Sequence, residues 1–341
     1  MIWQKYNIDE KLAMLQAIAG RHDIIEQAVE KDWWVTVVLK ALSNTSWGNG
    51  VLLFKGGTSL SKGWNLIERF SEDIDLAVDR SFFKKEDGTI RPDNTPQQRT
   101  ILRRKTYHYI KDTLQNEIDG QLQTLGATGY EIVFNSNNSS DLVTEVNIKY
   151  DSVFDTIIEG ISPQIKMEFS CMSMKDPYRA IPLNSLISQK FSPIDQELNC
   201  DFPTVVPERT FLEKIFLLNE EFQRNNPRHE RMSRHLYDIE KIINTPFSLK
   251  ALADTDLYKE IVLHRKEFYN LDGVDYNNHS PQMIDFCPPE SQIAKWKSDY
   301  IILQKTFIHG DSMEFDELID KLKTYIKEHI RPLEISLSIP N

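Results

Sequence analysis

The sequence predicts an α/β chain in which a mixed sheet flanked by helices is followed by a mostly helical C-terminal lobe. Short apolar runs of strand length recur up to residue 169, and turn-forming residues bound them. Longer stretches between these runs have the apolar spacing of helices. From about Pro182 onward the helical spacing predominates. We therefore expect a first domain over residues 1–180 and a second domain over residues 181–341.

Composition limits the possible classes of protein. A chain of 341 residues with 40% hydrophobic residues can bury a sizeable core. Its 40 basic and 51 acidic residues give a net charge of -11, which argues against a protein that coats nucleic acid, although a local basic surface could hold an RNA end. Three scattered cysteines do not predict a disulfide framework or a zinc site. Because no signal peptide or membrane-spanning run is evident, we expect a cytoplasmic protein.

Two helices are predicted before the first strand. Asp9 is expected to cap the first helix, and apolar residues at helical spacing follow it. The second helix includes residues 31–42, where Trp33 and Trp34 are expected to lie in the core. A buried strand over residues 51–54 comes next.

A glycine pair follows this strand and predicts a sharp turn. Because glycine lacks a Cβ atom, Gly56 and Gly57 can adopt positive φ and let the backbone approach a phosphate. A helix is predicted over residues 60–70, and its N-terminus would favour negative charge. The hydroxyl groups of Thr58 and Ser59 could add hydrogen bonds to the phosphate.

Two acids lie on one face of the next predicted strand, residues 74–78. Successive side chains alternate along a strand, so Asp73 and Asp75 point to the same face while Ile74 points into the core. Neighbouring carboxylates repel each other unless a cation joins them, and Mg²⁺ prefers such oxygen ligands. The pattern therefore predicts a metal site for phosphoryl or nucleotidyl transfer.

Together these residues resemble the signature of a known family, the AbiEii/AbiGii nucleotidyltransferase toxins of the polymerase-beta-like nucleotidyltransferase superfamily. The resemblance spans about residues 26–245 and is carried by two runs, Gly56-Gly57-Thr58-Ser59-Leu60-Ser61-Lys62 and Arg69-Phe70-Ser71-Glu72-Asp73-Ile74-Asp75-Leu76. It implies a nucleotidyltransferase sheet, a nucleoside triphosphate as substrate and Mg²⁺ as cofactor. It also implies that Asp73 and Asp75 are catalytic metal ligands and that Lys62 helps the turn to bind phosphates.

Three further strands are predicted over residues 130–134, 142–150 and 165–169. In the last of them Lys166 and Glu168 share one face. Members of the superfamily carry a third carboxylate on a strand beside the acid strand. The resemblance gives this position to Glu168 and assigns Lys166 to nucleotide binding, whereas Glu145 on the preceding strand is a rival third acid.

The second domain contributes two residues through the resemblance. A strand is predicted over residues 202–206, and Pro207 is predicted to begin a helix because proline is tolerated in the first turn. On this helix Lys214 matches the lysine motif of the family, and a cation there could hold the triphosphate or the leaving pyrophosphate. Asp238 matches the family's closing motif, although a buried structural role is an alternative.

Two segments are candidates for contact with RNA. One is a helix predicted over residues 100–125 and ended by Gly126, and the other is the loop over residues 224–231. The basic residues of the helix are Arg103, Arg104, Lys105, His108 and Lys111. An exposed loop is predicted over residues 80–97, and further helices over residues 296–307 and 315–330.

The predicted function is therefore transfer of a nucleoside monophosphate from a nucleoside triphosphate to an acceptor. The resemblance implies an RNA acceptor such as the 3' end of a tRNA. It also implies a toxin or phage-defence role and a separately encoded antitoxin. Two alternatives stay open, namely nucleotidyl or phosphoryl transfer to a small molecule or protein, and a nucleotide-binding regulator without turnover.

Overall fold

The computed structural model describes residues 1–71, 73–86, 95–156, 158, 161–192, 194–337 and 339. The strands are β1 (Leu52–Lys55), β2 (Asp73–Val78), β3 (Tyr130–Phe134), β4 (Thr144–Tyr150), β5 (Gln164–Ser170), β6 (Tyr178–Leu183) and β7 (Cys200–Val205). The helices are α1 (Ile8–His22), α2 (Glu26–Ser43), α3 (Gly56–Thr58), α4 (Ser81–Glu86), α5 (Pro96–Tyr109), α6 (Gln115–Leu125), α7 (Leu186–Lys190), α8 (Pro207–Phe222), α9 (Ser233–Ile243), α10 (Pro246–Ala253), α11 (Thr255–Phe268), α12 (Ile293–Thr306) and α13 (Phe315–Tyr325). Three π-helical segments, Ser59–Gly63, Ile110–Leu114 and Ile326–Ile330, continue α3, α5 and α13.

The described strands form one mixed sheet in the order β3-β4-β5-β2-β1-β7-β6. Neighbouring strands are parallel in the pairs β2–β5 and β1–β7 and antiparallel in the others. Helix α2 contacts β5, β7 and α6, and its residues Trp33, Val37 and Leu39 are fully buried. The predicted mixed sheet with flanking helices and a helical C-terminal region is therefore confirmed.

Contacts divide the chain into two compact units. The first unit is Met1–Trp64 with Phe70–Val205, and it contains the whole described sheet. The second unit is Val206–Asn341 with the short segment Asn65–Arg69. In the second unit α8 contacts α9, α10 and α11, while α9 contacts α12 and α13. No helix in the described part of the chain is long and apolar enough to cross a membrane.

Three sequence predictions of local structure are corrected. Helix α1 is capped by Asn7, whose side chain accepts from the Glu10 backbone N–H, and not by Asp9. Helical backbone follows β1 directly over residues 56–63, whereas the helix predicted over residues 60–70 does not continue beyond Gly63. Residues 81–86 form α4 within the predicted loop over residues 80–97, and residues 87–94 lie outside the described residues.

Candidate active site

The acid strand β2 alternates between the core and an open face. Ile74 and Leu76 are fully buried, whereas Asp73 and Asp75 are half-buried on the other face. Parallel pairing with β5 puts Asp75 opposite Glu168 and Asp73 opposite Lys166. The structure thus brings the predicted metal ligands, the predicted third acid and Lys166 together on one face of the sheet.

Gly56 lies directly against this acid strand. Its φ is +77°, a left-handed conformation that suits glycine, whereas Gly57 is helical. A Cβ atom on Gly56 would lie 2.8 Å from Asp75 Cγ and would overlap the carboxylate oxygen. The turn therefore requires glycine for its backbone conformation and for the close approach of Asp75.

Two hydroxyl groups of the glycine turn make hydrogen bonds within the chain. Thr58 Oγ1 lies 2.9 Å from Ser71 Oγ and also donates to the backbone carbonyl of Asp73. Ser59 is fully buried, and its hydroxyl group donates to the Gly56 carbonyl at 2.9 Å. Both side chains thus connect or brace the turn, and their direct contact with a phosphate stays a prediction.

Lys62 is also engaged within the first unit. Its Nζ atom lies 2.5 Å from Asp32 Oδ1 and donates to the Asn184 carbonyl at 3.0 Å. The second oxygen of Asp32 accepts from the Leu186 backbone N–H at 2.8 Å. Asp32 thereby connects α2 to the glycine-turn segment and to the start of α7, a role that helical spacing alone does not predict. The predicted phosphate contact of Lys62 stays a prediction.

Lys166 is an internal counter-ion for two glutamates. Its ammonium group pairs with the Glu168 carboxylate and lies 3.4 Å from Glu145 Oε2. Desolvation lowers the pKa of Lys166, but the carboxylates of Glu168, Asp73 and Glu145 outweigh it and raise that pKa above its ordinary value. Lys166 is therefore a permanent positive charge beside the acid strand.

In the second unit, Lys214 and Asp238 form a buried ion cluster with Arg69. Lys214 Nζ lies 2.8 Å from Asp238 Oδ2, and Arg69 Nε lies 2.6 Å from Asp238 Oδ1. Burial raises the pKa of the Asp238 carboxyl group, but the charges of Arg69 and Lys214 outweigh burial and hold that pKa far below its ordinary range. The cluster brings together the two predicted residues of the second domain, and their catalytic role stays a prediction.

His235 belongs to the same cluster and was not predicted. Its Nδ1 atom lies 3.3 Å from Lys214 Nζ. Desolvation and the neighbouring charge of Lys214 lower the pKa of His235 well below its ordinary value, so a neutral ring can accept a hydrogen bond from the ammonium group. The signature run also includes Arg69, for which the resemblance implies no role. Because its acidic partner is 169 positions away in the sequence, spacing could not reveal the pair.

The candidate RNA-binding segments differ in their surroundings. In the loop over residues 224–231, Arg228 Nη2 lies 2.7 Å and Arg224 Nη1 3.4 Å from the Glu221 carboxylate, which neutralises part of the expected charge. On α5, Arg104 and His108 are exposed. The helix therefore presents basic groups to solvent, and contact of either segment with RNA stays a prediction.

The sequence matches a family described as nucleotidyl transferase AbiEii toxin, type IV toxin–antitoxin system, over residues 37–321. The chain belongs to this AbiEii family. It is therefore a nucleotidyltransferase toxin of the type IV toxin–antitoxin class, which implies a nucleoside triphosphate substrate and an antitoxin.

One solved structure similar to this AbiEii family member is the nucleotidyltransferase toxin MenT4 from Mycobacterium tuberculosis H37Rv. The two chains have a TM-score of 0.47 and 16% sequence identity, over 93% of this chain and 98% of MenT4. A search of curated proteins found no match to the sequence.

The carboxylates of this AbiEii family member offer few ligands for a metal ion. Among the described residues, no group of three or more His, Cys, Asp or Glu side chains is arranged to hold one. Mg²⁺ is, however, usually held by only one or two carboxylates, with waters and substrate phosphates at its other positions. Asp73 and Asp75 fit that pattern, whereas Glu168 and Glu145 share Lys166.

Proposed function

We propose that this chain is a Mg²⁺-dependent enzyme that transfers a nucleoside monophosphate from a nucleoside triphosphate to RNA, with the 3' end of tRNA as acceptor. The observation that supports the proposal best is the approach of the Asp75 carboxylate to the glycine turn, with Glu168 opposite it in register. Family membership supplies the nucleotidyltransferase class. The acceptor and the metal ion are our extension of it.

Each group on the open face has a role in this proposal. Asp73 and Asp75 would hold Mg²⁺, which supplies electrostatic stabilisation of the charge that develops on the phosphate oxygens. The backbone of Gly56 and Gly57 would bind the β- and γ-phosphates. An acceptor hydroxyl group would attack the α-phosphorus, and pyrophosphate would leave. Glu168 would orient the acceptor.

Lys214 and Asp238 complete the proposal for the second unit. Asp238 fixes the Lys214 ammonium group at 2.8 Å, which would keep this cation in one position. A fixed cation stabilises the negative charge of a leaving pyrophosphate better than a mobile one, because it needs no reorganisation during the reaction. Asp238 is in this view a positioning residue for Lys214.

The proposal is tested by incubating the protein with total tRNA, Mg²⁺ and each of the four α-labelled nucleoside triphosphates. Asp75→Asn serves as the inactive control. We expect label in tRNA with at least one nucleotide for the wild type and none for the variant. Label in protein or in a small molecule would replace RNA as the acceptor. Stabilisation by nucleotide without any transferred label would favour a regulator without turnover.

A further inference from the structure

The open face of the sheet continues from the acid strand across β5 to β4. In one row across the sheet, Asp75 lies opposite Glu168, which lies opposite Glu145. In the adjacent row, Lys166 lies between Asp73 and Asn147. Neighbouring strands are about 4.8 Å apart, so this polar surface extends roughly 10 Å from the acid strand. We call the part formed by Glu145, Asn147 and Lys166 the β4–β5 patch.

Asn147 is an unusual member of this patch because it is buried and incompletely hydrogen-bonded. Asn147 is only 5% exposed, and its Oδ1 atom has no hydrogen-bond partner among the described residues. A buried acceptor without a donor costs about 1–3 kcal/mol, so natural proteins keep few of them. A donor from outside the chain would satisfy this oxygen.

The other members of the patch have partners within the chain. Lys166 pairs with Glu168 and Glu145, and Asn135 Nδ2 donates to Glu145 Oε1 at 3.1 Å. The Lys166 side chain is 31% exposed and lies directly across from Asn147 on the neighbouring strand. Because a lysine side chain is flexible, its movement towards an incoming anion would also give a ligand access to Asn147.

The order of the strands gives the direction from which an acceptor approaches. The phosphate-binding turn follows β1, which lies on the side of β2 opposite to β5. In phosphoryl transfer the attacking and leaving oxygens are roughly in line across the reacting phosphorus. If pyrophosphate leaves over the β1 side, the acceptor hydroxyl group arrives from the β5 side. The β4–β5 patch lies along that path.

We infer that the β4–β5 patch binds the acceptor strand of RNA and that Asn147 Oδ1 accepts a hydrogen bond from a ribose 2'-hydroxyl group near its 3' end. Lys166 then binds a neighbouring phosphate. A ribonucleotide supplies both groups, whereas a deoxyribonucleotide lacks the hydroxyl group and a protein side chain lacks the phosphate. This inference rests on the proposed function and makes Asn147 a specificity-determining residue.

The test compares two synthetic acceptor RNAs that end in a 3'-hydroxyl group, one fully ribose and one with deoxyribose at its last two positions. We expect the wild type to use the ribose acceptor with roughly tenfold higher kcat/KM, as one hydrogen bond to a buried group allows. Asn147→Leu should bring the ratio of the two kcat/KM values close to one, because it lowers kcat/KM for the ribose acceptor. The KM for the nucleoside triphosphate should not change.

Lys149→Gln is the matched control, since Lys149 is exposed on the same strand and the same face, two residues beyond Asn147. This variant should keep the wild-type ratio. The Tm of Asn147→Leu is measured beside the ratio, because a loss of folded stability would lower kcat/KM for both acceptor RNAs alike. A lower Tm with an unchanged ratio would identify Asn147 as a structural residue and overturn the inference.

The remaining outcomes are also decisive. An unchanged ratio in a stable Asn147→Leu variant would exclude the 2'-hydroxyl contact, and a raised KM for the nucleoside triphosphate alone would move Asn147 to the nucleotide side. If the wild type transfers nucleotide to both RNAs equally, the inference fails while the proposed function stands. If it transfers nucleotide to neither, the proposed function fails as well.

Discussion

At the residue scale, Gly56 combines two separate requirements for glycine. Its φ of +77° disfavours any side chain, and the Asp75 carboxylate occupies the space that a Cβ atom would need. Gly50 shares only the first requirement, since its φ is +84° and a Cβ atom there would meet no described atom within 4 Å. Substitutions at the two glycines therefore distinguish the effect of backbone strain alone from the effect of displacing Asp75 on the acid strand.

We predict that Gly56→Ala abolishes nucleotide transfer, because the methyl group must displace Asp75. Gly50→Ala should lower the free energy of unfolding by about 1–2 kcal/mol through backbone strain and leave transfer intact. Urea unfolding and the transfer assay measure both effects. Normal transfer by Gly56→Ala would show that the position of Asp75 does not matter for activity.

Asp238 is the only acid that we find bonded to both Arg69 and Lys214 within the described residues, so its neutralisation should be costly. Asp238→Asn should lower the free energy of unfolding by about 3–5 kcal/mol, because it removes the negative charge that pairs with the buried Lys214 ammonium group. Asp316→Asn removes an exposed partner of Lys297 and should cost about 1 kcal/mol or less. If urea unfolding gave the same loss of unfolding free energy for Asp238→Asn and Asp316→Asn, the buried ion cluster would not stabilise the fold more than an exposed pair does.

The same carboxylate predicts a pH dependence. The pKa of Asp238 is lower in the folded chain than in the unfolded chain, where it is about 3.9. Its stabilising contribution is therefore complete above about pH 5 and is lost as the pH falls towards the folded pKa. The stability difference between wild type and Asp238→Asn should shrink over that acid range. A difference that stays constant from pH 7 to pH 3 would contradict it.

At the element scale, the sequence predicted the strands around the site closely because they are short, apolar and alternating. The bounds of β3 agree with the predicted residues 130–134, and Gly126 ends α6 in a left-handed conformation as predicted. The predicted helix over residues 60–70 is wrong beyond Gly63. There Arg69 forms an antiparallel β-bridge with Ile308, and the Glu68 carbonyl accepts a hydrogen bond from the His309 backbone N–H. Such distant pairings leave no local pattern in the sequence. Strand β6 was missed for a different reason, because Pro182 lies inside it and proline disfavours a strand except at the edge of a sheet, where β6 lies.

The parallel register of β2 and β5 distinguishes the two candidate third acids. Glu168 lies directly opposite Asp75, whereas Glu145 is one strand further away. We predict that Glu168→Gln lowers kcat by about 100-fold or more, the loss typical of removing one group that stabilises the transition state. Glu145→Gln should lower kcat by about 10-fold or less. The reverse order in steady-state kinetics would assign the third acid to β4.

At the scale of the whole molecule, the chain passes from the first unit to the second between the glycine turn and the acid strand. The segment Asn65–Arg69 belongs to the second unit, where Arg69 pairs with Asp238 beside Lys214. One signature run therefore contains both the acids of β2 and a member of the buried cluster in the second unit. The sequence alone could identify the acids, but it could not reveal the partner of Arg69.

The central claim is that the Asp73–Asp75 face transfers a nucleoside monophosphate and not a phosphate. It is tested most directly by giving wild type and Asp75→Asn the same nucleoside triphosphate with the label at the α- or at the γ-position, together with tRNA and Mg²⁺. We predict that α-label enters tRNA only with the wild type and that γ-label leaves as pyrophosphate. Entry of γ-label into any acceptor, or α-transfer by Asp75→Asn equal to that of the wild type, would contradict the account.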